Sequence, residues 1–208
     1  MEHLLMKAAV ALCKALHKKG PRVLGKELAG IVEKHAIAVA VAGLGTAWLP
    51  GVGATAAMLT SVGFVWSMYV RISSRIGLPF SKHILKSVAT AIGTNIVSSL
   101  ASSVIIGSAL SFIPGLGSIG ASALMAGVAF SLTWTSGIVY FKVLTRFCEA
   151  GVNFEKVSEK DLKAMAKEVV EQEDIKAMMK QAKRQFKEAK ARGDLKKSDD
   201  NVKPMEEM

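Results

Sequence analysis

Two long stretches without charge constrain the fold of this chain more than any other feature. Residues 36–70 and 87–141 contain no Asp, Glu, Lys or Arg, which gives uncharged runs of 35 and 55 residues in a chain of 208. A helix on the surface of a water-soluble domain carries polar or charged side chains on the face that meets water. The two runs therefore predict helices that lie in a bilayer or in a very apolar core.

Each run carries a Pro-Gly turn near its middle. The segment Leu49–Gly53 reads LPGVG, and Ile113–Gly117 reads IPGLG at an offset of 64 residues. Pro and Gly favour tight turns, so the pattern predicts two helical hairpins related by an internal repeat. The predicted turn residues are Pro50, Gly51 and Gly53 in the first hairpin and Pro114, Gly115 and Gly117 in the second.

The arms of the hairpins differ in length. The two arms of the second hairpin are long enough to cross a hydrocarbon layer of about 30 Å. The uncharged part of the first arm, 36–49, falls short of the roughly 17–25 residues that a crossing needs. We expect an all-α protein with four membrane-inserted helices, and both four short crossings and two deeply inserted hairpins satisfy the pattern.

The composition divides the chain into four parts. Residues 1–35 are predicted to form amphipathic, basic N-terminal helices, and 36–150 the membrane-embedded double hairpin. Residues 151–193 are predicted to form charged cytoplasmic helices, because Ser158 and Asp161 have the spacing of a helix capping box and Asp174 can begin a second helix. The polar segment 194–208 is predicted to be disordered.

The positive charge lies beside the apolar runs rather than within them. The net charge is +10, and both termini and the linker 71–86 carry Lys or Arg. The positive-inside rule then predicts an inner (cytoplasmic) membrane protein with both termini in the cytoplasm. Averaged over each charged segment, no basic block with interleaved aromatic residues is present, so the predicted partner is a lipid bilayer rather than nucleic acid.

Small and polar residues recur at helical spacing inside the runs. Small residues four apart permit close helix packing, and they occur at Gly53, Ala57 and Ser61 and at Ala123, Gly127, Ser131 and Thr135. Polar side chains crowd the third arm at Thr94, Asn95, Ser98, Ser99 and Ser102. In lipid these groups need partners, so they predict either a polar lining of a solute path or hydrogen bonds between helices.

Catalytic and metal-binding patterns are missing from the sequence. The four histidines have no metal-ligand spacing, the two cysteines are far apart, and neither apolar run contains a carboxylate. The segment Gly20–Glu27 approaches a phosphate-binding loop but has Glu27 where that motif needs Ser or Thr to hold magnesium. The sequence predicts a non-enzymatic protein without cofactor or metal.

The two Gly/Ala/Ser-rich hairpins, which turn at Leu49-Pro50-Gly51 and at Ile113–Gly117, resemble the uncharacterised bacterial YcjF-type family. The resemblance covers roughly residues 36–150. Domains of that family occur alone or C-terminal to Era-like small GTPases and are considered membrane-associated. The resemblance therefore implies membrane association and a GTPase partner in trans, and it supplies no catalytic residues.

These observations predict a membrane-embedded scaffold or adaptor that self-associates as a homo-oligomer and recruits a cytoplasmic partner. Two alternatives stay open. One is an oligomeric pore or channel with a defensive or toxin-like role, and the other is a soluble helical bundle in a self-assembling complex.

Overall fold

The computed structural model describes residues 25–42, 53–76, 82–101, 118–151, 157–196 and 202. Within these residues the chain is helical and contains no strand, which confirms the predicted all-α class. The helices are α1 (25–42), α2 (Gly53–Arg75), α3 (Lys82–Ala101), α4 (Ser118–Glu149), α5 (Glu159–Glu171) and α6 (Ile175–Arg192), followed by a 3₁₀ turn over Asp194–Lys196. The predicted N-terminal helix and the turn residues Pro50, Gly51, Pro114, Gly115 and Gly117 lie outside the described residues.

Helices α1 and α2 run antiparallel. Arg75 forms an ion pair with Glu27 at 2.6 Å, and the hydroxyl of Ser67 lies 3.4 Å from Nε2 of His35. From the first pair to the second, the residue number rises on α1 and falls on α2. The two residues of each pair are equally far from Gly51 in the sequence. This direction agrees with a first hairpin that reverses at the predicted turn.

Helices α2 and α4 run parallel. The hydroxyls of Tyr69 and Ser136 form a hydrogen bond, and those of Ser73 and Tyr140 do so at 2.6 Å. The two tyrosine rings stack with their centroids 3.9 Å apart. Burial raises the pKa of both phenols, so both remain neutral hydroxyls. Because numbers rise together in both pairs, the N-terminal ends of α2 and α4 lie at the same end of the bundle.

Helix α4 lies at the centre of the bundle. Its buried side chains include Phe130, Val139, Tyr140 and Phe147, and they contact the apolar faces of the surrounding helices. A Cβ atom at Gly137 would lie only 2.7 Å from Cγ2 of Val32 and 2.9 Å from Sδ of Met68. Glycine at this position therefore permits the close approach of α1 and α2 to α4.

The two charged C-terminal helices begin where the sequence predicts. Ser158 caps α5 by accepting a hydrogen bond from the backbone N–H of Asp161 at 3.1 Å, and Asp174 caps α6 in the same way through Ala177. Gly193 ends α6 with a positive φ of 80°, a conformation that glycine adopts at low cost. The capping signals are thus confirmed.

Helix α6 lies along α4. Phe186 contacts α4 at Gly127, the hydroxyl of Thr135 donates to Sδ of Met179 at 3.3 Å, and Lys142 pairs with Glu173 just before α6 begins. Numbers rise along α4 as they fall along α6, so the two helices are antiparallel. Helix α5 packs mainly along α3 through a buried face of Leu162, Ala166 and Val170.

The segment after α6 was predicted to be disordered. In the structure Asp194–Lys196 form a 3₁₀ turn, and Val202 is buried against Ala38, Val39 and Phe64. Val202 therefore lies beside the α1–α2 pair. Residues 197–201 and 203–208 lie outside the described residues.

One helix in the described part of the chain is long and apolar enough to cross a membrane. It is the segment Ala126–Phe147 of α4, with a mean hydropathy of 1.2. However, 56% of that window is buried inside the protein. Length and composition alone therefore do not separate a membrane span from the central helix of a bundle.

The close approach at Gly137 can be tested by a pair of matched substitutions. We expect Gly137→Ala to destabilise the fold by about 1–3 kcal/mol, because the stiff side chain of Val32 must shift. We expect Gly93→Ala on the exposed face of α3 to stabilise by about 0.5–1 kcal/mol, since nothing lies within 4 Å of its Cβ position and alanine favours the helix. Urea unfolding followed by circular dichroism measures both, and equal effects would contradict the packing.

The paired hydroxyls between α2 and α4 can be tested by a double-mutant cycle. We expect Tyr69→Phe to destabilise by about 1–2 kcal/mol, because the substitution removes the hydrogen bond to the buried hydroxyl of Ser136. The double variant Tyr69→Phe/Ser136→Ala should lower the free energy of unfolding by less than the sum of the two single variants. Strict additivity in urea unfolding would show that these hydroxyls do not interact.

Candidate membrane-binding surface

One end of the bundle contains no charged residue on α2 and α4. Ala126 of α4 packs near Ala36 and Ala40 of α1 and near Ala189 of α6. Beyond this level α4 continues to Ser118, eight residues further, and the parallel α2 continues to Gly53. At 1.5 Å per residue α4 extends about 12 Å past this level, and α2, in the register of the Tyr69–Ser136 pair, extends about 9 Å.

These extensions, Gly53–Met58 of α2 and Ser118–Met125 of α4, are here called the uncharged end. The segments that continue from them, 43–52 and 102–117, contain no Asp, Glu, Lys or Arg either. The opposite end of the bundle carries the Glu27–Arg75, Lys142–Glu173 and Arg146–Glu149 ion pairs. Charge is therefore segregated along α2 and α4, whereas the end of α6 near Ala189 carries the Arg192–Glu33 and Arg192–Asp194 ion pairs.

The outer face of α6 concentrates positive charge. This helix has seven basic residues and one acidic residue, a net charge of +6. Five exposed lysines alternate at spacings of four and three residues and form a single row, here called the basic ridge: Lys176, Lys180, Lys183, Lys187 and Lys190. Among the described residues none of these lysines forms an ion pair.

Helix α5 is different, although it is also amphipathic. Its three lysines are balanced by four acidic residues. Lys163 pairs with Glu159 at 3.0 Å, and Lys167 pairs with Glu171 at 3.5 Å. The net positive charge of the C-terminal part thus belongs to one helix.

The small-residue row on α4 faces α6. A Cβ atom at Gly127 would lie 3.1 Å from the ring of Phe186, Ser131 is buried and donates to the carbonyl of Gly127, and Thr135 contacts Met179. This face, predicted for helix packing and self-association, is occupied by another helix of the same chain. The side chains of Gly53, Ala57, Ser61 and Ala123 lie outside the described residues.

The polar residues of α3 do not converge on an interior path within the described chain. Thr94 and Ser98 are exposed, and Asn95 is half-buried and donates to the carbonyl of Ala91 at 2.8 Å. Together with exposed Lys86 and Thr90 they form a polar outer row on α3. The side chains of Ser99 and Ser102 lie outside the described residues, and the predicted polar lining stays a prediction.

Buried polar groups occur without a catalytic arrangement around them. His35 is fully buried, and its Nδ1 lies 2.7 Å from the carbonyl oxygen of Ile31. Ser87 is also buried, and its hydroxyl has no hydrogen-bond partner in the described part of the chain. Over the same residues, no group of three or more His, Cys, Asp and Glu side chains could hold a metal ion.

Sequence reasoning missed the basic ridge, although a signal was present. Averaging over the whole charged C-terminal segment mixes the balanced α5 with the basic α6 and hides the +6 of the second helix. Counting charge per capped helix, between Asp174 and Gly193, would have found it. The alternation of spacings would then have placed the lysines on one face.

Comparison with known proteins gives no match: no family model, no curated protein and no solved structure is significantly similar to this chain. The resemblance to the YcjF-type family therefore stays a prediction.

The contact that holds the basic helix can be tested at Phe186. Its ring packs against Gly127 and lies 5.4 Å from the ring of Phe130. Removal of this half-buried ring in Phe186→Ala should weaken the packing of α6 on α4 by about 2 kcal/mol. We expect the amide hydrogen exchange of α6 to accelerate about 30-fold.

The neighbouring Gln185→Ala serves as the control, because Gln185 is also half-buried but makes no ring contact to α4. Its exchange should stay close to that of the unmodified chain. Equal exchange in the two variants would show that Phe186 does not hold α6 on α4.

Proposed function

We propose that this protein is a non-enzymatic membrane scaffold or adaptor that enters the bilayer by its uncharged end and keeps its charged helical body in the cytoplasm. The observation that carries the proposal is the segregation of charge along α2 and α4. Helices α2 and α4 extend together from the body, and neither these extensions nor the segments joined to them contain a charged residue. Burial of such apolar surface in lipid is favourable.

The arrangement favours insertion over a crossing by the body of α4. Helix α6 lies alongside Gly127–Lys142 with its lysines outward. A bilayer around that part of α4 would surround the basic ridge as well, at a cost of about 2.5–3.5 kcal/mol for each charge at its centre. The described extensions measure about 9 Å on α2 and 12 Å on α4, and the uncharged segments 43–52 and 102–117 that continue from them lie outside the described residues. The cost of surrounding the basic ridge with lipid therefore favours two inserted hairpins over four crossings.

The scaffold part of the proposal follows from the sites that the body offers. The body presents a polar row on α3 and two charged helices, surfaces of the kind that contact another protein. Self-association through the row Gly127–Thr135 would require α6 to leave α4, so other faces are better candidates for contacts between copies.

A second candidate function is a soluble bundle in a self-assembling complex. The observation that favours it is the cover that α5 and α6 provide: among the described residues Val62, at 53% exposure, is the only large apolar side chain in the exposed class. In that case the uncharged end would be buried against other copies instead of in lipid.

Depth-dependent quenching tests the proposal. Cys13 and Cys148 are replaced by Ala, and a single environment-sensitive label is placed at Ala57→Cys in the uncharged end or at Ala164→Cys on the exposed side of α5. With phosphatidylcholine vesicles we expect a blue shift and quenching by lipid-borne bromine for the first label only. The matched Ala→Cys change on α5 controls for non-specific adsorption.

Three outcomes contradict the proposal in different ways. Quenching at both positions would show that the body is immersed as well. No quenching at either position, with the protein recovered without detergent as a large assembly, would support the soluble complex. Quenching at Ala164→Cys alone would reverse the orientation.

A further inference from the structure

The basic ridge carries more charge than packing on α4 requires. An amphipathic helix needs a polar outer face, and α5 provides one with nearly balanced charge. Helix α6 has a net charge of +6, and its five ridge lysines extend along about 21 Å of helix without ion pairs among the described residues. Like charges at spacings of three and four residues disfavour the isolated helix by a few tenths of a kcal/mol per pair. Packing against α4 does not account for this excess of positive charge.

The C-terminal half of the ridge lies next to the uncharged end. Helix α6 is antiparallel to α4, and Ala189 packs in the cluster that contains Ala126 and Ala40. Lys187 and Lys190, on either side of Ala189, thus lie at the level from which α2 and α4 extend. Lys183 lies within about 10 Å of Lys190 along the helix axis.

We propose that Lys183, Lys187 and Lys190 bind the phosphate-bearing headgroups of anionic phospholipids at the point where the uncharged end enters the bilayer. This inference rests on the proposed insertion, because insertion brings the headgroup layer to the level of these lysines. Long lysine side chains reach along the surface to that layer, and each basic residue near an anionic membrane adds attraction. The N-terminal half of the ridge, Lys176 and Lys180, points along the body away from the lipid.

Nucleic acid fits the ridge less well. Single-stranded nucleic acid is held by basic grooves that also offer aromatic side chains for base stacking. The aromatic residue of α6, Phe186, faces inward and contacts Phe130. An exposed row of lysines without an aromatic side chain matches a surface of phosphate headgroups better.

The test compares two triple variants of the full chain that remove equal charge. One is Lys183→Gln/Lys187→Gln/Lys190→Gln in the ridge, and the other is Lys160→Gln/Lys163→Gln/Lys167→Gln on the exposed face of α5. Binding is measured by flotation with vesicles of phosphatidylcholine alone or mixed with phosphatidylglycerol, at low and high salt. The label at Ala57→Cys reports insertion in the same samples.

We expect the unmodified chain to bind the mixed vesicles more tightly than the neutral ones, with a difference that shrinks as salt rises. The ridge variant should lose about 100-fold in affinity for the mixed vesicles and little for the neutral ones. The α5 variant should keep most of its affinity. Circular dichroism of both variants shows whether each remains folded.

The outcomes separate the two proposals. Insertion into neutral vesicles with no preference for anionic lipid, or equal losses in the two variants, would overturn the inference and leave the proposed function intact. Lysine-dependent binding to anionic vesicles without quenching at the uncharged end would support the ridge and overturn insertion. A ridge variant that loses affinity for a single-stranded oligonucleotide but not for vesicles would overturn the inference in favour of nucleic acid.

Discussion

Helix α6 packs antiparallel against the small-residue face of α4, and most features of the surface depend on this contact. Phe186 contacts the backbone at Gly127 because no side chain intervenes there, and Thr135 and Met179 continue the contact along the two helices. The same packing turns the lysines of α6 outward and covers a central helix that is apolar enough to cross a membrane. A face that would otherwise be available to lipid or to another copy is thereby closed within one chain.

A few polar contacts between helices then fix the direction of the bundle. Glu27–Arg75 and His35–Ser67 hold α1 antiparallel to α2, whereas the hydroxyl pairs of Tyr69 and Tyr140 hold α2 parallel to α4. Because the hydroxyls are buried, an alternative register would leave them without partners, which is costly. The resulting order brings the N-terminal ends of α2 and α4 to one side. The starts of α2 and α4, which belong to two different uncharged runs of the sequence, thus lie at the same end of the bundle.

The proposed mode of membrane binding uses two physical forces at one level of the molecule. The uncharged end provides apolar surface without charge, and the C-terminal half of the basic ridge provides positive charge beside it. Hydrophobic insertion and attraction to anionic headgroups strengthen each other when they act at the same interface. In this proposal the body beyond that level, with the polar row of α3 and the balanced face of α5, would be available to a protein partner.

The sequence by itself determined the helical class, the two uncharged runs and the starts of α5 and α6 at Ser158 and Asp174. These are local properties, since periodicity, capping and composition act over a few neighbouring residues. The interior positions of His35 and Ser67, and the use of Gly127 as a contact for Phe186 and not for a second copy, were decided only by tertiary packing. Tertiary packing also decided the basic ridge, because the face of α6 that packs on α4 determines which of its side chains stay exposed. Several helices of this chain are similarly apolar, so each of them could pack against more than one other helix. The side-chain shapes and hydroxyl pairs that select one arrangement come from residues that are far apart in the chain.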